Sequence, residues 1–238
     1  DRINHFLWEH WERNLEYAQL FLKFYKEIDN FLGEVRENIS SNTELIILSD
    51  HGFCEVEKEI YLNYYLNVKG WLKFKKDNPK TLKDIHRESK AYSLIPGRIY
   101  INLKGREPEG IVEIGKEYED VRDGIIEDLK NLREPESGKH IIKVVLKRED
   151  IYSGNYYFHS PDLLAVPYDG FDLKGNFNKQ ILSEKTALVG MHTFENAFLY
   201  VRDRKIKENN FNIIYVMPTI LSMLKIGIPP NVEGRVLV

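Results

Sequence analysis

A single cysteine, Cys54, is present among 238 residues. One thiol excludes an internal disulfide and suits a reducing compartment, so a cytoplasmic setting is the expectation. No apolar run approaches the roughly 18 residues that a membrane span requires. Neither sign of charge dominates: 34 Lys and Arg stand against 37 Asp and Glu, a formal net charge of −3. That balance gives no electrostatic case for a nucleic-acid surface or an anionic membrane. Internal repeats and low-complexity tracts are absent. The sequence starts at Asp1 without a methionine or a signal peptide, which raises the expectation of a piece of a longer protein, so a missing targeting segment excludes little. The length still suffices for one large domain, or for a domain carrying an insertion.

What is there centres on Leu45-Ile46-Ile47-Leu48-Ser49-Asp50-His51-Gly52-Phe53. Four consecutive apolar residues read as a strand buried on both faces, as in the middle of a parallel sheet. In open α/β sheets, chemistry sits beyond the carboxyl ends of the strands. Asp50 and His51 stand at that end. Adjacent side chains normally point apart, but Gly52 permits a sharp turn that brings both towards one metal site. A hard oxygen with an imidazole nitrogen suits Zn²⁺ or Mn²⁺. The competing account, of equal weight on this segment alone, has Asp50 capping a turn and His51 merely exposed.

Upstream, Ile3, Leu7, Trp11, Leu15, Ala18, Leu22, Tyr25, Ile28, Leu32 and Val35 recur at steps of three and four, which predicts one long helix over residues 3–37. At its head, Asp1 and His5 are four apart and share a face. They can chelate an ion from there, but Asp1 as a helix cap and His5 as a surface histidine is the better-weighted account for these two alone. His10 lies about 140° round the helix from His5, since five steps of about 100° make about 500°, and it is expected to face solvent.

Residues 56–159 have a different texture and read as an inserted α+β subdomain. Lys75–Lys90 is charged and expected to be an exposed, mobile connection. Pro96-Gly97 is a turn before the alternating strand Arg98–Leu103. Tyr118–Leu132 suits an amphipathic helix and Ile141–Leu146 a strand. The cluster Arg98, Lys104 and Arg106 reads as a solvated face, Tyr61, Tyr64, Tyr65 and Trp71 as core, and His159 as a half-buried strand-end residue. Pro161–Val166 looks like a return to the main sheet, which gives a core of 1–55 and 160–238. His192, beside Gly190 in a loop entering the strand Ala197–Val201, is a further candidate ligand; a turn histidine is the alternative. Met217–Leu224 closes the chain as a helix with Pro218 in its first turn.

In this order, Asp1-Arg2-Ile3-Asn4-His5-Phe6, Ser49-Asp50-His51-Gly52-Phe53, Pro161-Asp162-Leu163 and Gly190-Met191-His192 resemble the alkaline phosphatase superfamily, in its type I phosphodiesterase/nucleotide pyrophosphatase branch. Arg98–Arg106 and Pro218–Leu221 add to the likeness, which spans essentially the whole chain. The resemblance implies a mainly parallel sheet flanked by helices, with its N-terminal strands outside this sequence. It implies two divalent ions, Zn²⁺ first and Mn²⁺ as the alternative, with Asp50 and His51 serving one and Asp1, His5 and His192 the other. The substrate class it implies is a small phosphate ester or nucleotide, hydrolysed through a covalent phospho-enzyme; leaving-group recognition is expected from the inserted block together with loops outside this sequence, so the substrate itself is not legible. The family's nucleophile and first metal-site Asp precede the D-x-x-x-H motif, so no catalytic nucleophile is expected in this chain, which is expected to bind metal without turnover by itself. Rival expectations are a phosphoglycerate mutase or a sulfatase of the same superfamily, or a non-catalytic module on a degenerate enzyme fold.

Overall fold

The computed structural model describes residues 1–95, 97–206 and 208–238, and of Ile95 the backbone only. The expected Pro96-Gly97 turn thus lies partly outside the described residues. In chain order the elements are α1 (Arg2–Glu12), α2 (Ala18–Asn38), β1 (Ile46–Leu48), β2 (Gly52–Glu55), β3 (Lys58–Tyr61), α3 (Leu62–Val68), β4 (Ala91–Ile95), β5 (Arg98–Ile101), α4 (Lys116–Lys130), β6 (Ile142–Lys147), α5 (Arg148–Ile151), β7 (Leu163–Pro167), β8 (Phe171–Lys174), β9 (Ser183–Glu184), β10 (Gly190–Thr193), β11 (Leu199–Val201) and α6 (Val216–Met223). The class is mixed α/β with small, mostly antiparallel sheets. β3 pairs with β8 in parallel, whereas β1–β11, β3–β9, β4–β5, β5–β7 and β6–β7 are antiparallel. The mainly parallel sheet expected above is therefore not what these strands form. A short apolar run reports burial and carries no information on the direction of its neighbour.

The chain divides into two compact units, residues 1–54 with 192–238, and residues 55–191. In the first, the predicted single helix is broken in two. Asn14 adopts the left-handed conformation, φ 51°, which Asn tolerates better than most residues, and the helix ends at the Arg13 cap. α2 then folds back along α1: Trp11 stacks on Phe21 at 5.7 Å between ring centroids, and the Tyr25 hydroxyl donates to Asn4 Oδ1 at 2.7 Å. The apolar period runs on through the break because both helices of the hairpin draw on it. Leu20, Phe24, Ile28 and Phe31 of α2 nevertheless remain exposed. β1 is only partly buried, against the expectation of burial on both faces. Its partner is β11, in the register Ile46↔Val201, Ile47↔Tyr200 and Leu48↔Leu199.

The second unit holds the larger core. A four-stranded sheet in the order β4-β5-β7-β6 and a three-stranded sheet in the order β8-β3-β9 supply it. β5 alternates as expected, with Ile99 and Ile101 fully buried and Arg98 and Tyr100 partly exposed. α4 buries Tyr118, Val121, Arg122, Ile125 and Leu129, spacings of three and four that place them on one stripe. β7, read above as part of the main sheet, lies between β5 and β6. Residues 75–90 are more organised than a mobile connection. Phe74 bridges to Ile85, and Asp84 accepts from the backbone amides of Lys80 and Thr81 while pairing with Lys76. Those bonds hold the Asp84 carboxyl down at about 2, the Lys76 ammonium contributing most.

Arg106 is not part of a solvated face. Its side chain is 4% exposed and it makes a two-pronged pair with the fully buried Asp162, at 3.0 and 2.6 Å. Asp162 also accepts from the Tyr118 hydroxyl at 2.7 Å and the Ile101 amide at 2.6 Å, and lies 3.3 Å from Arg148. Tyr61, Tyr65 and Trp71 are structural, as expected: Tyr65 donates to the Asp128 carbonyl and Trp71 to the Asp128 carboxylate. His159 sits exposed in a short 3₁₀ turn, not half-buried at a strand end.

Candidate metal centre

Asp1, His5, Asp50, His51 and His192 all belong to the first unit. Asp1 occupies the N-cap position of α1, but its side chain makes no capping hydrogen bond. The carboxylate turns to two imidazoles instead. Oδ1 accepts from His192 Nε2 at 3.0 Å, and Oδ2 lies 3.5 Å from His5 Nε2. One ligand atom from each of Asp1, His5 and His192 falls within 4.8 Å of the others. The helix supplies the Asp1–His5 half of this group because positions four apart lie one above the other. The strand β10 supplies His192, which sequence reasoning had placed in a loop.

His51 joins the group through its ring, stacked on His192 at 3.6 Å between centroids and 21° between planes. Its Nδ1 is 3.0 Å from the Gly52 carbonyl. A carbonyl oxygen only accepts, so Nδ1 is the donor in this bond, and in a neutral ring Nε2 is then the nitrogen with the lone pair. Such a backbone bond is the usual way of orienting a metal-binding histidine. Asp50 lies beside that nitrogen, Oδ1 at 3.4 Å from His51 Nε2, and has no turn-capping hydrogen bond among the described residues. Its side chain is 76% exposed, the most open of the five.

Phe53 is the residue that reading by motif undervalues. Its ring lies 5.0 Å from His5, 5.4 Å from His192 and 6.2 Å from His51. Trp8, 5.1 Å from Phe53, backs it from α1. The aromatic pair forms an apolar wall that meets His5 and His192 by edge contacts and His51 at a tilt. A bulky apolar residue two positions after a candidate histidine was the available signal. Trp8 Nε1 is buried without a partner among the described residues. His10 is set apart from the group. It is half-buried, not solvent-facing, accepts from the Tyr17 amide through Nδ1 and rests against the Tyr17 ring.

Gly52 serves the site in a way that differs from the expectation. Its backbone is in β2, and it is not among the glycines with positive φ. A Cβ there would stand 2.2 Å from the Glu195 carbonyl oxygen and 2.4 Å from Thr193 Oγ1. Close approach of two backbones, not a sharp turn, is what excludes a side chain. Gly52→Ala must push the 193–195 turn away and tilt β10 with it. Overpacking of this kind costs about 1–3 kcal/mol. The expected outcome is lower unfolding stability together with shifted histidine ring signals for His51 and His192 in an NMR spectrum; an unchanged spectrum would contradict the close-approach account.

As a donor set, one carboxylate with imidazole nitrogens fits a divalent ion of the zinc or manganese type. A cleft of about 360 Å³ opens beside Asp50, lined among others by Ser49, Phe194, Phe198, Asn209, Asn210 and Phe211. Among the described residues, no helix is long and apolar enough to cross a membrane.

A model of the family described as type I phosphodiesterase / nucleotide pyrophosphatase matches residues 1–195. No curated protein matches the sequence.

Proposed function

The chain belongs to the type I phosphodiesterase/nucleotide pyrophosphatase family, and from that premise we propose that it is the metal-binding part of a two-metal phosphoester hydrolase. Asp1, His5 and His192 hold one divalent ion, and Asp50 and His51 contribute to a second. The observation that carries the reading is the gathering of Asp1, His5 and His192 ligand atoms within 4.8 Å, with His51 stacked against it. Zn²⁺ is the first choice of ion and Mn²⁺ the second.

Bound there, a pair of divalent ions supplies charge for the developing negative oxygens of a phosphoryl transition state and an activated oxygen nucleophile. This chain's own residues have narrower tasks. His51, with its proton held on Nδ1 by the Gly52 carbonyl, keeps Nε2 available. Asp1 orients two imidazoles at once, while Phe53 and Trp8 keep water from the inner side of the rings. The phenyl and amide walls of the cleft beside Asp50 suit the organic group of the ester. Five side chains leave a two-ion site short of ligands and supply no nucleophile by motif. The full coordination of two ions and the attacking group need residues beyond these five.

The test is metal content and hydrolysis by the full-length protein. Two bound divalent ions are expected, with hydrolysis of a diester such as bis(4-nitrophenyl) phosphate lost on chelation and restored by Zn²⁺ or Mn²⁺. Turnover that persists in metal-free protein would reject the assignment. A protein that binds both ions and shows no turnover would be the non-catalytic module of the same family.

A further inference from the structure

A second cleft, of about 350 Å³, lies within the other unit, between the 75–87 loop and the 107–109 turn. Its inner surface includes Tyr92 and Asn102, each 8% exposed. Leu82, Ile85 and Pro108 add apolar surface. This combination of aliphatic and aromatic walls with a few fixed polar atoms is what small-molecule pockets share.

Two independent observations indicate what the cleft would take. The first is the Asn102 side chain. Its Nδ2 is committed to the carbonyls of Ser89 and Glu109, at 2.9 and 3.1 Å. No described residue donates to its Oδ1. Unlike Arg122 Nε and Arg148 Nε, this atom is not sealed from outside. An acceptor fixed on a residue more than nine-tenths buried calls for a donor from a ligand, since leaving it unpaired is costly.

The second is the division of the loop's charges. Lys73 pairs with Glu88 at 2.9 Å and Lys76 with Asp84 at 2.7 Å. Lys83 and Arg87, both lining the cleft, have no ion-pair partner among the described residues. The facing Glu107 cannot neutralise them, because its oxygens already accept from the Tyr92 hydroxyl at 2.9 Å and from Arg106 Nε at 2.8 Å. Glu109 alone remains as an uncommitted acid on that side. The 82–87 side therefore presents uncompensated positive charge over an apolar floor.

We propose that this cleft binds a small planar anion: a ring with an N–H or O–H donor at one end and a phosphate or carboxylate at the other. The ring lies against Tyr92, Ile85 and Leu82, the donor reaches Asn102 Oδ1, and the anionic end faces Lys83 and Arg87. Arg favours bidentate contact with either acid. The inference does not depend on the metal centre, whose residues belong to the other unit.

Isothermal titration of the full protein with (4-hydroxyphenyl)phosphonate, which has no ester bond to cleave, and with 4-hydroxybenzoate tests it. Saturable binding of at least one probe is expected, and a preference between them identifies the anion. The double substitution Lys83→Glu, Arg87→Glu changes exposed side chains only, so folding is retained. It should weaken binding by about tenfold or more, the loss of two charge-assisted contacts, and leave phosphoester hydrolysis unchanged. The unhydroxylated analogue, phenylphosphonate or benzoate, should bind more weakly because it offers Asn102 nothing. Equal affinity of the wild-type and doubly substituted proteins, or no saturable binding of either probe, would overturn the proposal.

Discussion

On the two-ion assignment proposed above, replacing His192 by alanine should remove one of the two cations and lower phosphoester hydrolysis by about a hundredfold or more, since even outer partners of metal ligands are worth 10–100-fold. The ring has two jobs. Nε2 faces Asp1 Oδ1 at 3.0 Å, and the ring plane supports His51 at 3.6 Å. Without it, Asp1 and His5 alone remain of the first group, and two side chains are too few for a tetrahedral site. The second cation should also be held less firmly once the His51 ring loses its neighbour. Elemental analysis of the purified full-length protein and kcat/KM for a diester are the measurements. His10→Ala is the control: that histidine is occupied with Tyr17 and its loss should leave metal content as it was. Full metal occupancy with unaltered rates in His192→Ala would dismiss the assignment.

Asp162→Asn should destabilise the second unit by about 3–5 kcal/mol, the range for breaking a buried ion pair from one side. Asp162 is completely buried, as are all but a few per cent of the Arg106 and Arg148 side chains that face it. Both carboxylate oxygens are used: Oδ1 by Tyr118 and Arg106, Oδ2 by Arg106 and the Ile101 amide. An amide offers a single acceptor and points an N–H₂ group at a guanidinium. It would leave Arg148 in a dry interior without a carboxylate partner among the described residues, and Arg106 with Glu107 alone. The pair bridges β5 and the start of β7, so amide hydrogen exchange in β5 should quicken along with a fall in the urea midpoint. Lys116→Ala, which removes a pair with exposed Asp120, should change stability by no more than about 1 kcal/mol. If both variants behave alike, the buried network carries no special weight.

Reading the sequence located the local elements well where periodicity was strong. α4, β5, β6 and α6 lie within a few residues of their expected positions, because apolar spacing reports which face is buried. Strand direction was not legible, since Ile46–Leu48 looks the same beside a parallel or an antiparallel neighbour. The helical hairpin was missed for a related reason. The apolar period continued across Asn14, and a single left-handed residue leaves no mark on a count of threes and fours. Asp162 was legible only as part of a motif, although an acid directly ahead of Leu163-Leu164-Ala165-Val166 is a sign of a buried charge with a partner. The five candidate metal ligands were singled out from residue type and order, and Asp1, His5 and His192 bring ligand atoms within 4.8 Å of one another. Their spatial grouping depends on Phe53 and on the absence of a side chain at Gly52, neither of which has chemistry that draws the eye.

The seat of His192 on an extended segment has an evolutionary consequence. Side chains along β10 alternate between faces, so inserting or deleting one residue within Gly190–Thr193 would turn the imidazole to the opposite side. The turn that follows, at Phe194–Ala197, has no such parity to keep. Among related sequences, gaps should therefore be purged from Gly190–Thr193, and chain length there would be under selection as strict as that on the histidine itself.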